Sequence, residues 1–203
     1  MLRIAICFWL CILSIAPLSA AMRIEADAVA RALAMPADTL HEHEGHAPLV
    51  AAARRADGCD DTRRYRSAVD TDFSLVVALC RRGEFAPGAV AATARAAHAR
   101  AERERAQRGV NPQLAPLFEL TRVPLGSGEG YTFLTPLIAQ GTTFVPTAAA
   151  ALGDSGATLV LQMGVDAHAL ASPDGWSICG KRQVMTEMAA ILKNLHAHFM
   201  RAQ

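Results

Sequence analysis

Thr71-Asp72-Phe73-Ser74-Leu75-Val76-Val77-Ala78-Leu79-Cys80 carries an unbroken apolar run from Leu75 to Cys80. Whether it coils or extends decides the fold class. Phe73, Val76, Val77 and Cys80 stand at i, i+3, i+4 and i+7, which places them on one side of a helix. Asp70 or Thr71 offers an oxygen to the free amides of a first turn. Leu75 and Leu79 lie off that stripe, so such a helix is buried on more than one side. Gly83 stops it. The spacing therefore predicts a buried helix here.

Upstream, the residues extend the helical reading. Met22–Met35 has Ile24, Ala28 and Leu33 among alanines, and Pro36 ends it. Pro36–Gly45 reads as a polar loop. His46–Arg55 opens a second helix with Pro48 near its first turn. Asp57-Gly58-Cys59-Asp60-Asp61 is a turn cluster.

Downstream, Pro87 opens an alanine-rich helix to Arg108, with Gly109 beyond its end. Arg95, Arg100, Arg103 and Arg105, offset by Glu102 and Glu104, make a solvated face over closely packed alanines. Then the pattern changes. Ala115–Val123 alternates moderately, and residues 126–130 form a glycine-rich turn. Tyr131–Ala139 alternates as a strand in which Pro136 marks an edge or a break. Thr142–Val145 is a short β-rich piece, and Ala148–Ala151 is a low-complexity tract. Leu159, Leu161, Met163 and Val165 alternate with Gln162, Gly164 and Asp166 as a half-buried strand. Asp174-Gly175 is a hairpin turn into Trp176–Cys179. Finally Val184, Met188, Ile191, Leu192, Leu195 and Phe199 form the apolar stripe of a closing helix. The expectation is an α+β domain: a helical N-terminal half, a small antiparallel β-meander and an amphipathic C-terminal helix.

The chain starts with Arg3, an apolar run over Ile4–Ile15 and small residues at Ser19-Ala20-Ala21. That order reads as a cleaved secretory signal peptide over residues 1–21. The run is too short to span a bilayer, so the mature chain is expected to have no membrane span. Removing residues 1–21 from the 203 leaves 182, the size of one globular domain over residues 22–203. The expected location is periplasmic or secreted. Cys59, Cys80 and Cys179 remain, and oxidising surroundings favour pairing. Cys59–Cys80 is the expected bridge, closing a short loop between a turn and a helix for about 3 kcal/mol of stabilisation. Cys179 is the odd cysteine and reads as a small buried apolar residue.

Without Arg3, 19 basic residues face 19 acidic ones. A balanced chain offers no basic footprint for nucleic acid. The densest chemistry is His41-Glu42-His43-Glu44-Gly45-His46. Extended, His41 and His43 share one side, and the Gly45 turn brings His46 round. Three neutral imidazoles suit a divalent transition metal. The zinc-hydrolase helix pattern is absent, since residue 45 is glycine. As a polar loop the segment is simply solvated.

Gly153-Asp154-Ser155-Gly156 resembles the serine segment of chymotrypsin-like proteases, and Ala96-Ala97-His98 resembles their histidine segment. That resemblance implies Ser155 as nucleophile and His98 as base. Against it, His98 falls within a long helix, and the strands are too few for two barrels. Asp-Ser-Gly is also common turn chemistry. The glycines at 126, 128 and 130 lack the strand–helix setting of a dinucleotide site. His196 and His198 sit near the carboxyl end of the last helix, where a charged imidazole is favoured. The reading is an exported, non-enzymatic protein that binds a protein partner, an inhibitor or immunity-type protein being one example. The alternatives are a metal-binding protein using His41, His43 and His46, or an unrecognised hydrolase.

Overall fold

The computed structural model describes residues 22–43, 58–68, 74–109, 112–138, 142–164 and 178–202. The segment read as a signal peptide, the expected helix His46–Arg55 and the expected Asp174-Gly175 turn with Trp176 lie outside these residues.

The run Leu75–Cys80 extends; it does not coil. It belongs to strand β3 (Ser74–Cys80), and every residue of it is buried. Seven residues with paired valines suit a strand covered on both faces, where period two is invisible because both faces are apolar. The helical spacing of Phe73, Val76, Val77 and Cys80 is a coincidence of that continuous run. This overturns the expected helical N-terminal half, and the small meander becomes a larger sheet. The described residues hold seven strands and three α-helices. The strands are β1 (Leu40–Glu42), β2 (Cys59–Ser67), β3, β4 (Thr121–Pro124), β5 (Glu129–Ile138), β6 (Thr142–Ala151) and β7 (Thr158–Gly164). The helices are α1 (Ala26–Ala32), α2 (Val90–Arg108) and α3 (Ile178–Arg201).

All seven strands form one antiparallel sheet in the order β1-β2-β3-β7-β6-β5-β4. Two meanders, β1–β3 and β4–β7, meet at the β3–β7 pair. Helix α2 runs in the connection between them. Cys59 lies opposite Cys80 at the open end of the β2–β3 hairpin, and the two form a disulfide. The bridge therefore joins two strands, where a turn and a helix were expected.

Helices cover both faces. One face of the sheet packs Leu75, Val77, Leu79, Ala148, Ala150, Leu159 and Leu161 against α1 and α3. Helix α3 contributes Met188, Ile191, Leu192, Leu195 and Phe199. The other face packs Ala78, Tyr131, Phe133, Ala149 and Val160 against Val90, Ala94 and Ala97 of α2. Strand β6 thus lies between two helices, touching α3 on one side and α2 on the other. That is why Ala148–Ala150 are alanines and fully buried. The apparent low-complexity tract is the thinnest part of a three-layer core. Gly130 lies opposite Ala150 in β5, and an added Cβ there would come within 2.6 Å of Leu192 Cδ2.

Helix α2 ends where Gly109 adopts a left-handed φ of 63°, a conformation that costs a side chain energy but not glycine. Glu102–Arg105 and Glu104–Arg108 pairs line its outer side. Pro136 and Pro146 both fall where the β5–β6 hairpin projects past its neighbours: β4 pairs only with Glu129–Thr132, and β7 only with Thr147–Ala151. A missing N–H is tolerated on such an unpaired side. Ala115–Val123 is not one strand; Pro112–Phe118 is a 3-10 turn and β4 follows. Ile178 and Cys179 open helix α3 and are not hairpin residues.

His196 is buried on α3, and its Nε2 donates to the Ala151 carbonyl at 3.1 Å. Burial holds the imidazole below its ordinary value of 6.5, against the opposing pull of that hydrogen bond. The folded ring stays neutral where the unfolded one takes a proton, so stability is full above about pH 7 and falls as pH drops through about 6.5. A His196→Gln variant should show a flatter denaturation midpoint between pH 7 and 5, measured by urea unfolding monitored by circular dichroism. Gly130→Ala should destabilise by about 1–3 kcal/mol through overpacking against Leu192, read from the same urea curves at pH 7.

Candidate functional site

Strands β1 and β2 sort their charged side chains by face. Leu40, Glu42, Asp61, Arg63, Tyr65 and Ser67 share the α3 side, because alternate residues share a face and directly opposed residues share it too. There Arg63 donates to Glu42 at 2.7 Å and to Asp61 at 2.9 Å. These bonds, the one to Glu42 foremost, hold the Arg63 guanidinium more firmly protonated than usual. Asp61 also accepts from the Ile24 amide at 3.0 Å, which fastens the segment before α1 to the sheet. On this side two carboxylates share one guanidinium, so each charged group has a partner of opposite sign.

The opposite side is unlike it. His41 lies directly across from Arg66. The His43 amide donates to the Arg64 carbonyl at 2.8 Å, which continues the pairing by one more rung. Directly opposed residues have Cβ atoms about 5 Å apart. His41, His43, Arg64 and Arg66 therefore make a two-by-two block of nitrogen bases on one face. The same-face positions beside it are Thr62, Ser74, Val76 and Gln162, none of them acidic. His41, His43 and Arg66 are exposed, and Arg64 is half-buried. Burial, and then the charge of Arg66, makes Arg64 less ready than usual to hold its proton. Helix α2 packs over β5 and β6, toward the other end of the sheet. A face of this kind attracts anionic groups.

The residues singled out from sequence fare differently. β1 places His41 and His43 on one side and sends Glu42 to the other, where it bonds Arg63. His46 lies outside the described residues. Among the described residues no group of three or more histidines, cysteines, aspartates or glutamates is arranged to hold a metal ion. The two permanent guanidinium charges across from the imidazoles also oppose a divalent cation.

Ser155 donates to the Leu152 carbonyl at 2.6 Å and accepts from the Ala157 amide at 3.3 Å. It shapes the turn between β6 and β7. His98 sits on α2 with Nδ1 2.7 Å from the Phe118 carbonyl. Each is engaged with backbone of its own surroundings, as turn and helix chemistry require. Arg64, Arg66 and Thr62 were missed in the sequence. Their signal was the alternation Thr62-Arg63-Arg64-Tyr65-Arg66, which separates the arginines only once the segment is known to be extended.

Among the described residues no helix is long and apolar enough to cross a membrane. Comparison of the chain with protein-family models, with curated proteins and with solved structures found no match.

Beneath the ion pairs on the α3 side, Tyr65 is fully buried and its hydroxyl has no hydrogen-bond partner. Burial, reinforced by Glu42, pushes the phenol up to about 12. It lies in the apolar cluster with Leu40 and Leu75. A buried, unbonded hydroxyl is a net cost. Tyr65→Phe should therefore be neutral or stabilising by up to about 1 kcal/mol, measured by thermal and urea unfolding; a loss of more than that amount would show that the hydroxyl does bond in solution.

Proposed function

We propose that this protein works outside the cytoplasm, in the periplasm or beyond it, as a single-domain binding protein without catalysis. Its partner is a protein with an acidic surface. The observation that carries this reading is the block of His41, His43, Arg64 and Arg66 on one face of β1 and β2, with no acid at the described same-face positions beside it. In a chain whose total charge is balanced, gathering bases on one face while pairing the neighbouring arginine on the other creates a directed field. Such a field steers encounter and selects partners of opposite sign more than it adds raw affinity.

Two further features support the reading. The Cys59–Cys80 disulfide suits an oxidising compartment, in keeping with the export signal read in residues 1–21. The candidate nucleophile Ser155 commits its hydroxyl to the backbone of its own turn, which fits a turn residue.

The test is affinity capture from the extracytoplasmic fraction of the native cell, with the unmodified protein and with a double charge reversal, Arg64→Glu and Arg66→Glu. Expected is a protein retained by the unmodified chain at low salt, held about tenfold more weakly by the reversal variant and released by added salt. Equal retention of every captured protein by a folded reversal variant would remove this face from the binding reading.

A further inference from the structure

The cationic block and Thr62 beside it hold two polar atoms without a hydrogen-bond partner. Thr62 Oγ1 and Arg64 Nε are each buried and without a hydrogen-bond partner. Thr62 is only 8% exposed. The two residues are two apart on β2, so they rise from the same face with Cα atoms about 7 Å apart. Each carries a donor. The Arg64 Nε–H and a neighbouring Nη–H form a planar fork that matches the two oxygens of a carboxylate side-on. The Thr62 hydroxyl, on the same face, offers a third hydrogen bond. An unmade hydrogen bond at a buried donor is costly, and two of them within one residue pair mark a place where an acceptor from outside would be favoured.

We propose that Arg64 and Thr62 form a carboxylate subsite that takes an aspartate or glutamate side chain from an acidic segment of the protein partner. This rests on the binding reading above. Arg66, His41 and His43 form the outer rim and draw the flanking acids of that segment. The anion also relieves the strain of holding a half-buried guanidinium beside Arg66, the condition that lowers the hold of Arg64 on its proton. A planar two-oxygen anion fits one fork and one hydroxyl. A phosphate group, with three oxygens to satisfy, would call on the exposed Arg66 as strongly as on Arg64.

The probe is a fluorescent hexaglutamate peptide, titrated by anisotropy into the protein recovered from an export-competent host with its disulfide intact. Arg64→Lys keeps the charge and removes the fork; it should bind at least fivefold more weakly, while Arg66→Lys should stay within twofold. Thr62→Val should lose a similar factor, and Thr62→Ser should restore it. In the unmodified protein, the Arg64 Nε–H resonance should shift as the peptide binds, which needs no variant at all. Arg64→Lys binding as well as the unmodified chain, or a resonance that stays in place with peptide bound, would overturn the subsite. So would inorganic phosphate displacing the peptide with equal dependence on Arg64 and Arg66. If the peptide binds as described but no protein is captured from the native cell, the subsite stands and the proposed function fails; the reverse pair of results separates them the other way.

Discussion

The close approach of two helices to opposite faces of β6 sets the dimensions of everything else. Ala148 and Ala150 meet α3 from one side, and Ala149 meets the α2 layer from the other. Larger side chains at these points would push a helix outward, and interiors packed to crystal-like density have no slack to absorb the change. The same closeness demands the bare backbone of Gly130 under Leu192. It also fixes where α2 ends up. Held down over β5 and β6 by Val90, Ala94 and Ala97, the helix lies toward one end of the sheet, while the polar face of β1 and β2 sits at the other.

The two faces of that outer region then do different things. On the α3 side, Arg63 is clasped by Glu42 and Asp61, and Asp61 in turn holds the Ile24 amide. These contacts are structural. They join the segment before α1 to the sheet and give each charged group of the cluster a partner of opposite sign. One residue further along the strand, Arg64 faces the opposite way, where none of the described same-face neighbours is acidic. The strand's period of two is what makes a site of a sequence that is otherwise an undifferentiated run of charge.

Parts of this fold were legible in the residues. Helix α2 announces itself through Pro87, its alanines and Gly109, because propensity and end signals agree there. The disulfide followed from counting the cysteines left once residues 1–21 are read as an export signal. The rest was hidden for specific reasons. β3 is apolar on both faces, so its run of Leu75–Cys80 satisfies the helical period as well as the strand period. β2 has Tyr65 as its one large apolar side chain, and a strand so rich in charge resembles a loop. Ala148–Ala151 looked empty of information, although Ala148, Ala149 and Ala150 are fully buried between two helices. The site suffered most, since separating Arg63 from Arg64 requires the strand to be known first. The histidines drew attention by density, whereas the unsatisfied donors beside them could be found only in three dimensions.

The meeting of the two meanders has a kinetic side. β3 pairs with β7, and some eighty residues of chain lie between them. Loop closure over such a distance must be completed before the central pair rewards it, which slows formation of the whole sheet. Until β7 arrives, the nascent β3 presents an apolar, unprotected edge of the kind that invites mispairing with other chains. A chain that emerges from its amino end meets that hazard for as long as its last third is delayed, so a chaperone has a defined interval, and a defined strand, to guard.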